Sequence, residues 1–266
     1  MMSDEILLVD SRGPVDWVTM NRPDAANALD QGLICALLDY FESLRDNHAV
    51  RVVVLKANGR HFCAGADLAA GAFEDESRTP HNIWRAQRQI SDIYRAMRRC
   101  PQPIIALVQG AACGGGFSLA LASDIRIAGE SAKMNAAFIK IGLTGADMGS
   151  SYFLPRLVGT SVASELLMTG RFIYADRALA VNLVSQVVPD AELEAAANSY
   201  LEDMLRTSPM GLRLTKEAVN SSVDAGSLDA ALAMEDRHQS LLMLTQDSVE
   251  AVMAFLEKRE PDYKDQ

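Results

Sequence analysis

The sequence predicts an α/β protein with a core of parallel strands and a helical C-terminal region. Short apolar or β-branched runs recur along the first 190 residues, and segments with helical spacing separate them. From about Pro189 onward the strand patterns stop and only helical patterns follow. Strands that alternate with helices are typical of a parallel sheet covered by helices. We therefore divide the chain into a core at 1–190 and a helical region at 191–266.

The chain opens with two predicted strands. Residues 6–9 and Val15–Met20 alternate or run apolar, and the turn-rich segment 10–14 joins them into a hairpin. A helix is predicted next, from a cap at Asp30 to about Asn47, because its apolar residues recur at helical spacing.

Three further strands and two helices complete the predicted core. The β-branched or apolar runs at 52–55, 104–108 and 125–128 are typical of buried strands. Helical patterns lie between them at 82–99 and 115–122. This alternation supports the parallel sheet.

Two other kinds of segment remain. The stretch 70–80 is charged and aperiodic, which indicates an exposed, mobile loop. The C-terminal region contains four helical patterns, at 190–206, 209–221, 227–243 and 246–258.

Composition and charge exclude several classes of function. The net charge of −10 argues against the basic surface by which proteins bind nucleic acid. The longest apolar runs are far shorter than the ~20 residues of a membrane span, and the acidic N-terminus lacks the basic start of a signal peptide. The four cysteines and four histidines are scattered, without metal-ligand spacing. We expect a cytoplasmic protein that binds no metal, nucleic acid or membrane.

Two glycine-centred turns carry the clearest functional signal. One spans 61–68 after a predicted strand, and the other spans 109–118 between a strand and a helix. Glycine lets a ligand approach the backbone closely, and the free N–H groups of a new helix favour an anion. No lysine follows Gly116, as a phosphate-binding loop requires, and Leu119 breaks the dinucleotide fingerprint. Taken alone, the second turn could equally serve only to pack a helix against the sheet.

Five motifs in order resemble those of the crotonase (enoyl-CoA hydratase/isomerase) superfamily, over nearly the whole chain. The first two are an N-R-P…N-A-L stretch and an F-x-A-G-A-D-L turn, and the third is a G-G-G segment followed by Leu-Ala and Ser-Asp. The last two are L-P-R-L-V-G and A-F-L-E-K-R. In this chain the motifs occupy 20–29, 62–68, 114–124, 154–159 and 254–259.

The resemblance implies an enzyme that acts on acyl-CoA thioesters. Its fold would be a spiral of ββα turns, and 191–266 would pack the chain into a homotrimer or homohexamer. The thioester carbonyl would lie between the backbone N–H groups of Ala66 and Gly115, which would stabilise an enolate. Coenzyme A would be part of the substrate, and no further cofactor is implied.

The resemblance also implies which residues contact the substrate. The CoA moiety would run along two segments of the chain, at Ala26–Ala28 and Ala64–Leu68. Asp67 would orient its turn or contact the adenine. The implied binding residues are Ala26, Ala28, Ala64, Gly65, Asp67, Leu68, Gly114, Ser118 and Phe138.

The sequence departs from the hydratases at both catalytic positions. Hydratases of this superfamily use two glutamates, which would fall at positions 118 and 138, where this chain has Ser118 and Phe138. Neither side chain can act as a carboxylate base, so efficient two-glutamate hydration is not expected. Ser118 is better interpreted as a small residue that enlarges the acyl pocket.

Asp147 is the remaining candidate for proton transfer. Its spacing to the L-P-R-L-V-G motif matches that of the catalytic aspartate in dienoyl-CoA isomerases and chlorobenzoyl-CoA dehalogenases. The alternative is that Asp147 only caps the helix that follows. His61 is better interpreted as a turn residue than as a base, and no histidine is placed to activate Cys63 or Cys113.

Three functions stay open at this point. The first is isomerase or other lyase chemistry through the oxyanion hole and Asp147. The second is a hydrolase or dehalogenase with Asp147 as nucleophile, although Arg95 stands where an assisting histidine would be expected. The third is a non-catalytic acyl-CoA-binding protein, because both glutamates are absent.

Overall fold

A computed structural model describes residues 5–68 and 79–266. The predicted mobile loop at 70–80 lies outside the described residues, apart from Thr79 and Pro80. Thr79 caps the following helix, since its side chain accepts a hydrogen bond from the Asn82 N–H.

The described residues contain nine strands in two sheets. The larger sheet has six strands in the order β1-β2-β3-β4-β6-β9, and the smaller has the order β5-β7-β8. The strands are β1 (Leu7–Arg12), β2 (Val15–Met20), β3 (Val52–Ala57), β4 (Ile104–Val108), β5 (Ala111–Cys113), β6 (Ile125–Gly129), β7 (Lys133–Asn135), β8 (Ile173–Tyr174) and β9 (Gln186–Val188).

Nine α-helices accompany them in the same part of the chain. They are α1 (Gln31–Ser43), α2 (Pro80–Arg99), α3 (Gly115–Ala122), α4 (Ser150–Thr169), α5 (Ala175–Ala180), α6 (Leu193–Leu205), α7 (Pro209–Ser222), α8 (Leu228–Leu242) and α9 (Gln246–Glu257).

The α/β prediction is confirmed. β1 and β2 form the expected antiparallel hairpin, with Leu7 opposite Met20, and every other neighbouring pair in the larger sheet is parallel. Asp30 caps α1 as predicted, because its side chain accepts from the Leu33 N–H at 2.8 Å. The helix ends at Ser43 and continues as one 3₁₀ turn, Leu44–Asp46.

The smaller sheet is an addition that the sequence does not predict. From β4 the chain turns into β5 and then enters α3, and from β6 it turns into β7. The path from β4 to α3 is a ββα turn of the kind that the family resemblance implies. The strands β5, β7 and β8 have only two or three residues each, which is too short to show a period of two.

Both faces of the larger sheet are buried. The first face packs against α1 to α4, with Val18 and Leu55 among its fully buried residues. The opposite face, which includes Trp17 and Val54, packs against α6. Strands buried on both sides read as continuous apolar runs, which explains why β3 and β4 were predictable.

The four C-terminal helical patterns are confirmed as α6 to α9. Buried Lys216 fastens α7 to the core, since its Nζ donates to the Gln102 carbonyl at 2.7 Å and lies 2.9 Å from the Asp124 carboxylate. The division at 190/191 and the role of the last region in assembly stay predictions. No helix in the described residues has the length and apolar character needed to cross a membrane.

Candidate active site

The two glycine turns lie side by side. The Phe62 N–H donates to the Gln109 carbonyl at 2.9 Å. Cys63 donates through its N–H to the Ala111 carbonyl at 3.1 Å and accepts from the Cys113 N–H at 2.9 Å. This backbone pairing aligns the turn after β3 with the turn between β4 and α3.

Close packing of the two turns requires glycine at two positions. A Cβ added to Gly65 would lie 2.7 Å from the Cys113 carbonyl oxygen, and the backbone of Gly65 has a φ of +92°. A Cβ added to Gly116 would lie 2.2 Å from the Cys63 carbonyl oxygen. The turns could not approach this closely with a side chain at either position.

Gly115 and Ala66 are placed next to each other by this arrangement. The position of a Cβ on Gly65 lies 3.4 Å from the Gly115 nitrogen, and Ala66 follows Gly65 directly. Gly115 is the first residue of α3, so its N–H has no acceptor within the helix. Among the described residues, no acceptor is found for the Ala66 N–H either. Two backbone N–H groups without an acceptor among the described residues therefore lie on adjoining turns, which is what an oxyanion hole at Ala66 and Gly115 would require.

An arginine holds the first turn against the segment at 26–30. Arg22 lies 3.0 Å from the Asp67 carboxylate and 3.1 Å from that of Asp30, and it also donates to the Ala28 carbonyl. Ala28, which we assign to CoA binding, is thus held beside this turn. The contact favours the first of the two roles that we considered for Asp67, which is to orient the turn.

The remaining residues assigned to CoA binding gather in the same place. Ala26 adopts a left-handed backbone with a φ of 50°, and its carbonyl accepts from the Ala64 N–H at 3.0 Å. Ala64 and Leu68 are exposed. A ligand can therefore reach this strip of backbone from solvent.

The sequence analysis missed Asn27, which braces the same strip. This buried amide donates to the carbonyls of Asn58 and His61 and accepts from the Arg22 N–H. Its place within the N-A-L motif was the only signal.

The two positions of the hydratase glutamates are filled by groups that do not ionise at neutral pH. Ser118 on α3 is fully buried, and its Oγ has no hydrogen-bond partner in the described residues. Phe138 lies in a short 3₁₀ helix with its ring against Gly114, where an added Cβ would be 3.2 Å from it.

Tyr94 on α2 is a second residue that the sequence analysis missed. Its hydroxyl donates to the Gly115 carbonyl at 3.0 Å and lies 3.2 Å from the Met148 Sδ. Burial raises the pKa of Tyr94 well above its ordinary value, so the hydroxyl stays protonated. In sequence Tyr94 is only one of several residues on the apolar face of a helix, so nothing distinguished it.

Asp147 does not cap the helix that follows it. The N-cap of α4 is Gly149, which makes no side-chain capping bond. Met148 and Gly149 both have left-handed backbone, with φ values of 49° and 82°. They turn the chain between Asp147 and the first helical residue, and the carboxylate accepts no hydrogen bond from an N–H group of the helix. The capping interpretation is therefore wrong.

Two hydrogen bonds outside helix α4 hold the Asp147 carboxylate in place. Its Oδ1 accepts from the Gln87 side-chain amide at 2.6 Å and from the Met148 N–H at 2.7 Å. Burial raises the pKa of Asp147, and the two hydrogen bonds, from Met148 and then Gln87, partly oppose the rise. A Cβ added to Gly115 would lie 3.1 Å from the Met148 Sδ. The residue after Asp147 thus contacts the residue that carries an oxyanion donor.

We expect Gln87→Leu to move the acid limb of the pH–rate profile to higher pH. The change removes a donor that favours the ionised carboxylate, so the pKa of Asp147 rises and a base at Asp147 needs a higher pH to lose its proton. Gln89→Leu is the matched control, because Gln89 lies on the same helix and bonds Gln31 and Cys35. Identical profiles of kcat/KM for both variants would contradict this role of Gln87.

The weaker candidates have structural explanations. The His61 Nδ1 accepts from the Ala111 N–H at 3.1 Å and so braces the second turn, and burial lowers the pKa of His61. Burial raises the pKa of Cys63 to about 12 and also raises that of Cys113. An activated thiolate needs the opposite shift. No group of three or more metal-ligating side chains comes together in the described segments.

Comparisons with known proteins identify the family. A family model described as "Enoyl-CoA hydratase/isomerase" matches residues 11–266. The chain is 38% identical over 264 residues to "Probable enoyl-CoA hydratase echA12" of Mycobacterium bovis, across 98% of this chain and 93% of that protein. It is 37% identical over 260 residues to 2,3-dehydroadipyl-CoA hydratase of Escherichia coli, across 97% of this chain and 98% of that protein.

Solved structures show the same relationship at the level of the fold. The crystal structure of an enoyl-CoA hydratase from Bacillus anthracis matches with a TM-score of 0.92 at 34% identity, over 98% of this chain and 100% of that chain. The family match spans both the glycine turns and the C-terminal helices. The chain therefore belongs to the enoyl-CoA hydratase/isomerase family, and it is an enzyme of that family.

Proposed function

We propose that this enzyme is an isomerase or other lyase that forms the enolate of an acyl-CoA thioester between the Ala66 and Gly115 N–H groups. Asp147 moves the proton. The observation that carries the proposal is the Asp147 carboxylate, which is partly desolvated, held by Gln87 and the Met148 N–H, and free of any capping role. The residue that follows it, Met148, lies beside Gly115, since a Cβ added to Gly115 would be 3.1 Å from the Met148 Sδ.

The proposed chemistry uses both parts of the site. Asp147 takes a proton from a carbon made acidic by the thioester, and the electron pair moves onto the thioester oxygen. One preorganised backbone donor at such an oxygen is worth about 2.7–4 kcal/mol of the barrier. The protonated Asp147 then returns the proton to another carbon of the conjugated enolate, which completes an isomerisation. A desolvated carboxylate suits this exchange because its pKa lies closer to that of a carbon acid.

The other functions receive less support. In a dehalogenase or hydrolase, a base must activate water against the ester formed on Asp147. Arg95 stands at the expected helix position and forms an ion pair with Asp92, and a guanidinium does not act as a base. A non-catalytic acyl-CoA-binding protein would not require a carboxylate held in this way. Family membership leaves the acyl group open, since one relative's name specifies dehydroadipyl and the other specifies none.

Crotonyl-CoA should bind but hydrate slowly. Ser118 and Phe138 replace both carboxylates, and each positioned acid–base group contributes about 10²–10⁴-fold. Loss of the ultraviolet absorbance of the conjugated enoyl thioester reports hydration, and calorimetry with acetoacetyl-CoA serves as the binding control. Hydration near the diffusion limit would contradict the assignment of the catalytic group. An absence of heat and of thermal stabilisation at millimolar acetoacetyl-CoA would contradict the thioester site itself.

We also propose that the chain works as a trimer or a multiple of trimers. The last two helices and the turn between them expose large apolar side chains, with Leu244 in the turn 86% exposed and Phe255 on α9 83% exposed. Apolar surface of this extent is typical of subunit interfaces. Light scattering should give a mass of three or six times 28.9 kDa, whereas a monomer at all concentrations would rule the proposal out. We keep the cytoplasm as the proposed compartment, since all four cysteines are free thiols.

A further inference from the structure

A cavity of about 390 Å³ lies between the second half of α2, the beginning of α4 and α7. Its volume falls within the range of about 300–1,000 Å³ that is usual for small-molecule sites. Three arginines on α2 contribute guanidinium groups to its wall, and the rest is formed mainly by aromatic side chains and Met148, with the polar side chains of Ser91 and Asn220. Its principal lining residues are Tyr94, Arg95, Arg98, Arg99, Met148 and Phe153.

The cavity shares a wall with the proposed reaction site. Tyr94 and Met148 line it, and both also contact Gly115: the Tyr94 hydroxyl donates to the Gly115 carbonyl, and the Met148 Sδ lies beside the Gly115 Cα. The Tyr94 hydroxyl and the Met148 Sδ are 3.2 Å apart, so a chain attached to a carbonyl at the Gly115 N–H would reach the cavity by displacing one of this pair. Methionine is unbranched and flexible, so Met148 can turn aside for it. The cavity is thus where the far end of an acyl group would lie.

The walls of the cavity are positively charged. Arg95, Arg98 and Arg99 line it, and no carboxylate of the described residues does. The Arg98 Nη1 lies 2.9 Å from the Asp124 carboxylate, and the Arg95 Nη1 forms an ion pair with Asp92. Because a guanidinium has five N–H donors, each of these arginines has further N–H groups available for a ligand. Arg99 has no carboxylate within 4 Å in the part of the chain that the structure describes.

A second cavity shows that this imbalance is local. It has a volume of about 740 Å³ on the α1 side of α2, and Arg95 and Arg99 border it as well. That cavity is also lined by a third arginine, Arg45, and by the two carboxylates of Glu42 and Asp92. Its three guanidinium groups thus face two carboxylates, whereas the three that line the cavity beside Tyr94 and Met148 face none among the described residues.

We propose that the acyl group of the substrate ends in a carboxylate, so that the enzyme acts on the CoA thioester of a dicarboxylic acid. Guanidinium groups match a carboxylate in geometry and form charge-assisted hydrogen bonds with it. Arg99 and Arg95 hold the distal carboxylate, and the methylene groups lie against Tyr94 and Phe153. This inference rests on the proposed function, because it places the thioester at Ala66 and Gly115.

Binding affinities of matched thioesters test the inference. Calorimetry would compare succinyl-, glutaryl- and adipyl-CoA with butanoyl-, pentanoyl- and hexanoyl-CoA, which have the same carbon counts without the second carboxylate. We expect one dicarboxylic ligand to bind at least about tenfold more tightly than its neutral match. Arg99→Gln and Arg95→Gln should each remove most of that difference and leave the neutral series unchanged. Arg85→Gln, an exposed position on the same helix that does not line the cavity, should leave both series unchanged.

The outcomes separate this inference from the proposed function. If neutral acyl-CoA binds as tightly as every dicarboxylic match, the inference fails and the thioester site stands. The inference also fails if the preference persists in both arginine variants, or if Arg85→Gln removes it equally. If none of the six thioesters binds, the proposed function fails and the inference fails with it.

Discussion

Asp147→Asn should lower turnover on the true substrate about 10²-fold or more and leave CoA-thioester binding unchanged. The amide keeps the shape of the side chain and an oxygen that can accept from the Met148 N–H, which binds Asp147 at 2.7 Å. It cannot take up a proton at neutral pH. Single-turnover rates and calorimetry on the same preparation separate the chemical step from binding.

The pH dependence of the free energy of unfolding of Asp147→Asn is a second test of the environment of Asp147. Because burial raises the pKa of Asp147, the folded chain holds that proton to a higher pH than the unfolded chain does. The free energy of unfolding of the parent therefore falls as pH rises through the two pKa values, and Asp147→Asn should lack this fall. Asp39→Asn, which removes an exposed carboxylate from α1, is the control for charge. A folded Asp147→Asn enzyme with full turnover would refute the assignment.

Gly116→Ala should destabilise the folded state by about 3 kcal/mol or more. The added methyl would lie 2.2 Å from the Cys63 carbonyl oxygen and 2.6 Å from the Cys63 Cβ. A backbone carbonyl cannot rotate aside as the end of a long side chain can, so the two turns must separate. Because those turns carry Ala66 and Gly115, the molecules that remain folded should also lose activity.

Gly226→Ala is the matched control for this prediction. Neither glycine has a positive φ, and nothing lies within 4 Å of a Cβ added to Gly226. The control should therefore change the free energy of unfolding by less than about 1 kcal/mol. Denaturant unfolding of both variants measures the difference. Equal stabilities would show that the contact between the turns tolerates a methyl group.

The fold was predictable wherever a segment was long enough to show a pattern. The strands β3, β4 and β6 were located within two residues, because strands buried on both faces are continuously apolar. The strands β5 and β7 were not predicted, because three residues are too few to show the alternating pattern of a strand. Tertiary pairing with each other, and not local preference, makes them strands.

The sequence motifs located the two glycine turns and Asp147, but not the residues of α2 that contact them. The glycine turns lie in recognisable motifs, and the structure does bring them together. Tyr94 and Gln87 lie on α2, far along the chain from both turns, and in sequence they look like ordinary helical residues. Only the packing of α2 places one against Gly115 and the other against Asp147. The roles of Ala66, Gly115 and Asp147 stay predictions until a substrate is measured.

The left-handed backbone of Met148 has a consequence for how this enzyme can change over evolutionary time. A non-glycine residue with a φ of 49° is held at a free-energy penalty of about 1 kcal/mol or more. Glycine at position 148 would relieve this penalty, but it would also remove the thioether that contacts Tyr94 and lies beside Gly115. Substitutions at position 148 therefore affect both the stability of the protein and the shape of the cavity wall that Met148 forms. A substitution that relieves this strain would therefore also change the proposed reaction site, so stability and activity are coupled at this position.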